Sequence, residues 1–224
     1  MKIRLFFLLL FVLIVGFSQK KPLPEGFVYV AEVIPDIHVE LKYFSSNNFV
    51  GDTIEGYKAN RLILTKQTAE ALNKVNDELL EQNKCLLVYD GYRPQRAVNH
   101  FITWAKDLSD TIMKDKFYPY VKKQDLFKEE YIAARSGHSK GSTVDLTIID
   151  ADTNEPLDMG SPYDFFGVQS WIDYEYISDK QKANRQLLQR VMLKHGFRNY
   201  PREWWHFTLV GEPFPDTFFD FEVE

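Results

Sequence analysis

The stretch from Arg135 to Ile148, RSGHSKGSTVDLTI, puts His138 seven residues before Asp145, and Asp145 sits inside an apolar run, Val144-Asp145-Leu146-Thr147-Ile148. Strands disfavour aspartate, and a buried carboxylate without a partner is costly, so Asp145 needs a compensating partner, for which a cation is the economical candidate. An odd spacing on one straight strand would place His138 and Asp145 on opposite faces. Gly141, in the turn Ser139-Lys140-Gly141-Ser142, permits a sharp reversal that removes this constraint. A second stretch, PREWWHFTLV from Pro201 to Val210, supplies His206 with Glu203 three residues earlier. His138, Asp145 and His206 would give a zinc ion three nitrogen and oxygen ligands and leave a fourth position for water. Glu203 beside such an ion suits a general base that takes a proton from the water. Each pattern is weak by itself. Asp145 alone also reads as a strand-end carboxylate capping a turn, and His206 alone as a core histidine beside Trp204 and Trp205.

Those side chains need a scaffold. Thr143 to Ile149 alternates, with Val144, Leu146 and Ile148 on one side and Asp145 and Thr147 on the other. Trp205 to Val210 alternates likewise, Phe207 and Leu209 against His206 and Thr208. Thr65 to Asn83 predicts a helix, capped by Thr65, with Ala69, Leu72, Val75, Leu79 and Leu80 at helical spacing. Cys85 to Tyr89 predicts a short apolar strand ended by Asp90-Gly91. Pro94 opens a helix to about Leu108, with Ala97, Phe101 and Trp104 on one face. A third helix is expected from about Ser178 to Lys194, with Leu187, Leu188, Val191 and Met192 as its apolar side and Gly196 as a stop. Strands and helices mix without a βαβ rhythm. The expectation is a single α+β domain with a mainly antiparallel sheet and flanking helices.

The 224 residues are 45% hydrophobic and 15% aromatic, enough for a real core. The net charge of −5, without a long basic run, argues against a nucleic-acid partner. Lys2 and Arg4 precede an uncharged run from Leu5 to Val15, and Gly16-Phe17-Ser18 offers a small-x-small cleavage site. The run is short for a bilayer span, so residues 1–18 read as a secretory signal rather than a stable membrane anchor, with residues 19–224 as the exported domain. Losing Lys2 and Arg4 takes the net charge from −5 to −7. No cysteine follows the run, which gives a lipoprotein anchor no support. Cys85 is the one cysteine of the chain, excludes an intrachain disulfide, and reads as an inert core thiol.

Taken together, SGHSKGSTVDL and EWWHF resemble the zinc D-Ala-D-Ala peptidase superfamily, whose motifs are Ser-x-His-x6-Asp and Glu-x-x-His. Tyr89 to Val98 (YDGYRPQRAV), Asn47 to Tyr57 (NNFVGDTIEGY) and Asp158 to Phe166 (DMGSPYDFF) resemble its D-alanyl-D-alanine dipeptidases. The resemblance runs from about Val33 to Leu209. It implies a Hedgehog/DD-peptidase-like fold, one zinc ion per chain on His138, Asp145 and His206, and Glu203 as the catalytic base. It further implies Arg93 as the group that stabilises the tetrahedral intermediate, a role suited to a guanidinium's fixed donors. Ser136 matches a serine near the substrate carboxylate, and Asp164 matches the aspartate that holds the substrate ammonium. Tyr43 is placed in the same pocket. Asp164 also reads as a turn cap after Pro162, and Tyr43 as core. His38, His100 and His195 are read as structural.

The substrate so implied is a small D,D-dipeptide. Export departs from a resistance role, which requires a cytoplasmic dipeptide pool, and favours salvage of D-alanine from cell-wall dipeptide. The competing readings are a D,D-carboxypeptidase or endopeptidase on longer wall peptides, and a non-catalytic zinc module. Against the module, structural zinc sites are normally closed by four protein ligands and need neither Glu203 nor Arg93.

Overall fold

The computed structural model describes residues 22–224. The signal segment expected at residues 1–18 lies outside them. In chain order the elements are β1 (Phe27–Tyr29), β2 (His38–Val39), β3 (Ile63–Thr65), α1 (Lys66–Leu80), β4 (Lys84–Asp90), α2 (Gln95–Lys106), α3 (Lys114–Phe117), β5 (Thr143–Asp150), α4 (Asp179–Lys194), β6 (Phe197–Tyr200) and β7 (Glu203–Leu209). A five-stranded sheet has the order β2-β4-β5-β7-β6, and β1 pairs with β3 in a separate ribbon. All neighbours in the five-stranded sheet are antiparallel except the short β2–β4 pair. The architecture is the α+β class expected from the sequence.

The helices form where the apolar period is 3.6. Ala69, Leu72, Val75 and Leu79 of α1 are fully buried, and the helix packs against β4 and α4. Burial of each such leucine stabilises the fold by about 1.5–3 kcal/mol. Leu80, expected on the same face, is instead 50% exposed, because the helix ends there. Thr65 holds the N-cap position, but its hydroxyl bonds Thr68 Oγ1 at 2.7 Å and Ser142 Oγ at 3.0 Å rather than a backbone amide. It ties the helix start to the loop before β5. At α4, Ser178 and Gln181 form a reciprocal capping box, satisfying two donors that the helix start would leave unpaired.

Two irregularities position the site. β4 continues one residue past the expected stop, with a register shift between Val88 and Asp90, so that Asp90 pairs with Asp145. β7 starts two residues earlier than expected, at Glu203. Its ladder with β6 pairs Asn199 with Phe207 and then Tyr200 with Glu203, so Trp204, Trp205 and His206 bulge between the two. A bulge breaks the strict alternation of faces.

Candidate active site

β5 is the centre of the site. Its register sets Asp145 opposite His206 of β7 on one side and opposite Asp90 of β4 on the other. His138 arrives from the loop before β5, where residues 137–140 make one turn of 3-10 helix. Ser136 caps that turn, its hydroxyl accepting from the His138 amide at 3.3 Å. The turn closes at Gly141 with φ +79°, and a Cβ there would stand 2.2 Å from Phe27 Cε1. Only glycine meets both conditions.

The three expected ligands converge. His206 Nδ1 lies 3.0 Å from Asp145 Oδ1, and His138 Nε2 lies 3.3 Å from Asp145 Oδ2. One ligand atom from each of the three falls within 4.8 Å of the others. The carbonyl of Gly91 accepts a hydrogen bond from His138 Nδ1 at 2.8 Å, which leaves Nε2 with a lone pair for a ligand. Asp145 is 2% exposed, yet its Oδ1 makes no hydrogen bond. A buried carboxylate whose two oxygens each face one imidazole nitrogen, one of them lacking a donor, fits a metal cation.

The electrostatics follow from this crowding. Burial raises the Asp145 carboxyl, but His138 and His206 outweigh burial and hold it well below the ordinary range. Burial lowers His206, and Asp145 more than reverses it. Burial raises Glu203, with His206 pulling the other way. Glu203 Oε2 lies 3.4 Å from His206 Nδ1, beside the ligand cluster.

A cavity of about 320 Å³ opens onto these groups and is also lined by Tyr43, Arg93, Ser136 and Asp164. All eight residues singled out in the sequence therefore border one space. Asp164 is buried, adopts φ +57°, and accepts the Tyr43 hydroxyl at 2.9 Å. Burial, then the charge of Asp145, push its carboxyl well above the ordinary value, against Arg93. The loop carrying it is pinned by the buried Arg185 of α4, which donates to the carbonyls of Met159, Trp171 and Gln169 at 2.5, 2.6 and 2.7 Å. Arg93 Nη2 stands 3.6 Å from Asp145 Oδ2.

Sequence reasoning missed two contributors. The Tyr163 hydroxyl lies 3.1 Å from Asp145 Oδ2 and 3.3 Å from the Tyr43 hydroxyl. Asp90 had looked like the start of a turn, and is instead a fully buried strand residue gripping Arg93. His100 and His195 lie elsewhere, with His100 Nδ1 accepting from the Glu55 amide and His195 paired with Glu78. Cys85 is buried and free. Among the described residues no helix is long and apolar enough to cross a membrane.

A two-histidine, one-carboxylate cluster with a carboxylate beside it fits the site of a metallopeptidase. The comparisons agree: a family model described as D-ala-D-ala dipeptidase matches residues 24–224, and the chain belongs to that peptidase family. It is 39% identical over 199 residues to a D-alanyl-D-alanine dipeptidase of Enterococcus faecalis, covering 89% of this chain and 98% of the relative. It is 40% identical over 197 residues to one of Streptomyces coelicolor, covering 88% and 98%. It is 31% identical over 182 residues to one of Escherichia coli, covering 81% and 83%. A crystal structure of a vancomycin-resistance D,D-pentapeptidase, VanY, in complex with Zn(II) has a TM-score of 0.43 at 17% identity, covering 79% of this chain and 80% of that one.

Proposed function

We propose that this peptidase hydrolyses the D-alanyl-D-alanine dipeptide to two molecules of D-alanine with one zinc ion per chain. The observation that carries the reading is that Glu203, the metal-ligand cluster and the buried Asp164 line one cavity. The relatives' shared name, D-alanyl-D-alanine dipeptidase, supports the substrate.

His138, Asp145 and His206 would hold the ion, which when bound lowers the pKa of water and polarises a peptide carbonyl. Glu203 takes a proton from the attacking water and returns it to the leaving amine, so that one water is consumed and one C–N bond breaks. Its raised pKa suits both halves of that transfer. Arg93 presents guanidinium N–H groups to the oxygen that gains charge. Asp164, oriented by Tyr43, receives the substrate ammonium, and Ser136 lies toward the carboxylate. A buried carboxylate facing the amine selects a free amino terminus, because an acylated nitrogen brings no charge to meet it.

Export places the reaction outside the cytoplasm, supported by Lys2, Arg4 and the apolar run to Val15. There the enzyme would recover D-alanine from cell-wall dipeptide. Cell fractionation tests this part: the mature chain beginning at Gln19 should appear outside the cytosol, and a cytosolic protein retaining residues 1–18 would contradict it.

The substrate assignment is tested by comparing free D-Ala-D-Ala with its N-acetyl derivative and with a longer stem peptide ending in D-Ala-D-Ala. Cleavage of the free dipeptide alone is expected. Preference for the stem peptide would make the protein a D,D-carboxypeptidase.

A further inference from the structure

Two of the stretches that resemble the dipeptidases, Asn47 to Tyr57 and Tyr89 to Val98, supply none of the three expected metal ligands, although Asp90 Oδ2 lies 3.5 Å from His138 Nδ1, and the structure joins them at a buried hydrogen-bond chain. The Tyr57 hydroxyl donates to Asp90 Oδ1 at 2.6 Å. Asp90 Oδ2 accepts from Arg93 Nε at 2.8 Å and lies 2.8 Å from Arg93 Nη2. Tyr57 is 2% exposed and Asp90 is 0% exposed. We propose that Tyr57 and Asp90 are positioning residues that fix the plane and direction of the Arg93 guanidinium, an inference that rests on the role given to Arg93 above.

The geometry leaves Arg93 little choice. One edge of the fork, Nε and Nη2, is occupied by Asp90. The flat face is covered by the Tyr43 and Phe101 rings, whose centroids lie 4.9 and 5.4 Å from the guanidinium carbon. Nη1 and the remaining Nη2 hydrogen are left for the cavity, which Arg93 lines. Asp90 is also the nearer of two carboxylates that offset the guanidinium charge, at 2.8 Å against 3.6 Å for Asp145.

A carboxylate held at one oxygen can still turn about its last bond. Tyr57 removes that freedom by occupying the second oxygen. Tyr57 is itself braced by the C-terminal segment: Lys58 N donates to the Val223 carbonyl at 2.7 Å and Val223 N to the Gly56 carbonyl at 2.9 Å. The order of the chain is thus the Val223 segment, Tyr57, Asp90, Arg93.

The test is Tyr57→Phe, which deletes one oxygen. With D-Ala-D-Ala, kcat should fall about tenfold, the loss expected for one hydrogen bond to a charged group, while KM and zinc content stay unchanged. Tyr92→Phe is the control, because Tyr92 is likewise 2% exposed and its hydroxyl bonds the Phe221 backbone at 3.0 and 2.8 Å without touching Arg93. It should lower Tm and leave kcat alone. Equal kcat for Tyr57→Phe and the parent would overturn the proposal. A second readout does not need turnover: the Arg93 Nε–H resonance, identified by its loss in Arg93→Lys. It should be protected from hydrogen exchange in the parent and exchange at least about tenfold faster in Tyr57→Phe. Unchanged protection would overturn the proposal. A parent protein that never cleaves the dipeptide would refute the dipeptidase reading instead, and the resonance would still decide the role of Tyr57.

Discussion

Asp145 and His206 stand directly opposite each other in the β5–β7 ladder, and the two side chains meet with Oδ1 and Nδ1 3.0 Å apart. Backbone pairing, not a flexible loop, sets the distance between two of the three proposed metal ligands. Such a site is pre-organised, so a metal should add to the stability of a fold that already exists rather than create it.

Zinc should therefore raise the Tm of the folded, zinc-free protein, with a gain near 2.7 kcal/mol once free zinc is about 100 times Kd. Asp145→Ala should abolish this gain, and calorimetry with and without zinc checks both outcomes. A zinc-free chain with no cooperative transition would show instead that the ladder does not form without the ion.

Asp164→Asn separates binding from stability. Asparagine tolerates the positive φ of this position and keeps an acceptor for Tyr43. With the ammonium's counter-charge gone, kcat/KM for the free dipeptide should drop on the order of 10- to 100-fold. In the zinc-free protein the same change should stabilise the fold above acidic pH. The groups acting on Asp164 are Tyr43, Arg93, Asp145 and Glu203, and burial with Asp145 raises its folded pKa well above 3.8. A raised folded pKa means stability that is full below the unfolded pKa and lost as pH rises through the folded one. Asparagine cannot ionise and escapes that loss. The Tm difference, variant minus parent, should be near zero below pH 3.8 and grow more positive toward pH 8.

Gly141→Ala tests the turn that delivers His138. Positive φ and the 2.2 Å approach to Phe27 both oppose a Cβ. The expected cost is roughly 2–5 kcal/mol, from left-handed backbone and overpacking together. Chemical denaturation reads the cost, and zinc affinity should fall with it because His138 rides on the same turn.

The sequence exposed those parts of the site that follow strict periodicity. Asp145 and His206 interrupt alternating apolar runs, and that interruption was visible from residue types alone. Glu203 was nominated as a base, yet its place on β7 was not readable. Period-two alternation would put residues 203 and 206 on opposite faces, and only the bulge from Trp204 to His206 brings the carboxylate to 3.4 Å from the ring. Asp90 was hidden for a related reason. Asp-Gly after an apolar run signals a turn, and nothing local reveals a buried arginine three residues later that holds the carboxylate inside. The helix ends differed by a few residues because packing and capping, not the apolar period, set them.

The most direct measurement is release of D-alanine from D-Ala-D-Ala by residues 19–224, before and after a chelator and again after zinc is restored, alongside Glu203→Gln. The account predicts release that the chelator stops and zinc returns. It predicts a variant that binds zinc normally but turns over on the order of 100- to 10,000-fold more slowly. Undiminished release by Glu203→Gln, or release indifferent to the chelator, would contradict the assignment of metal and base to this site.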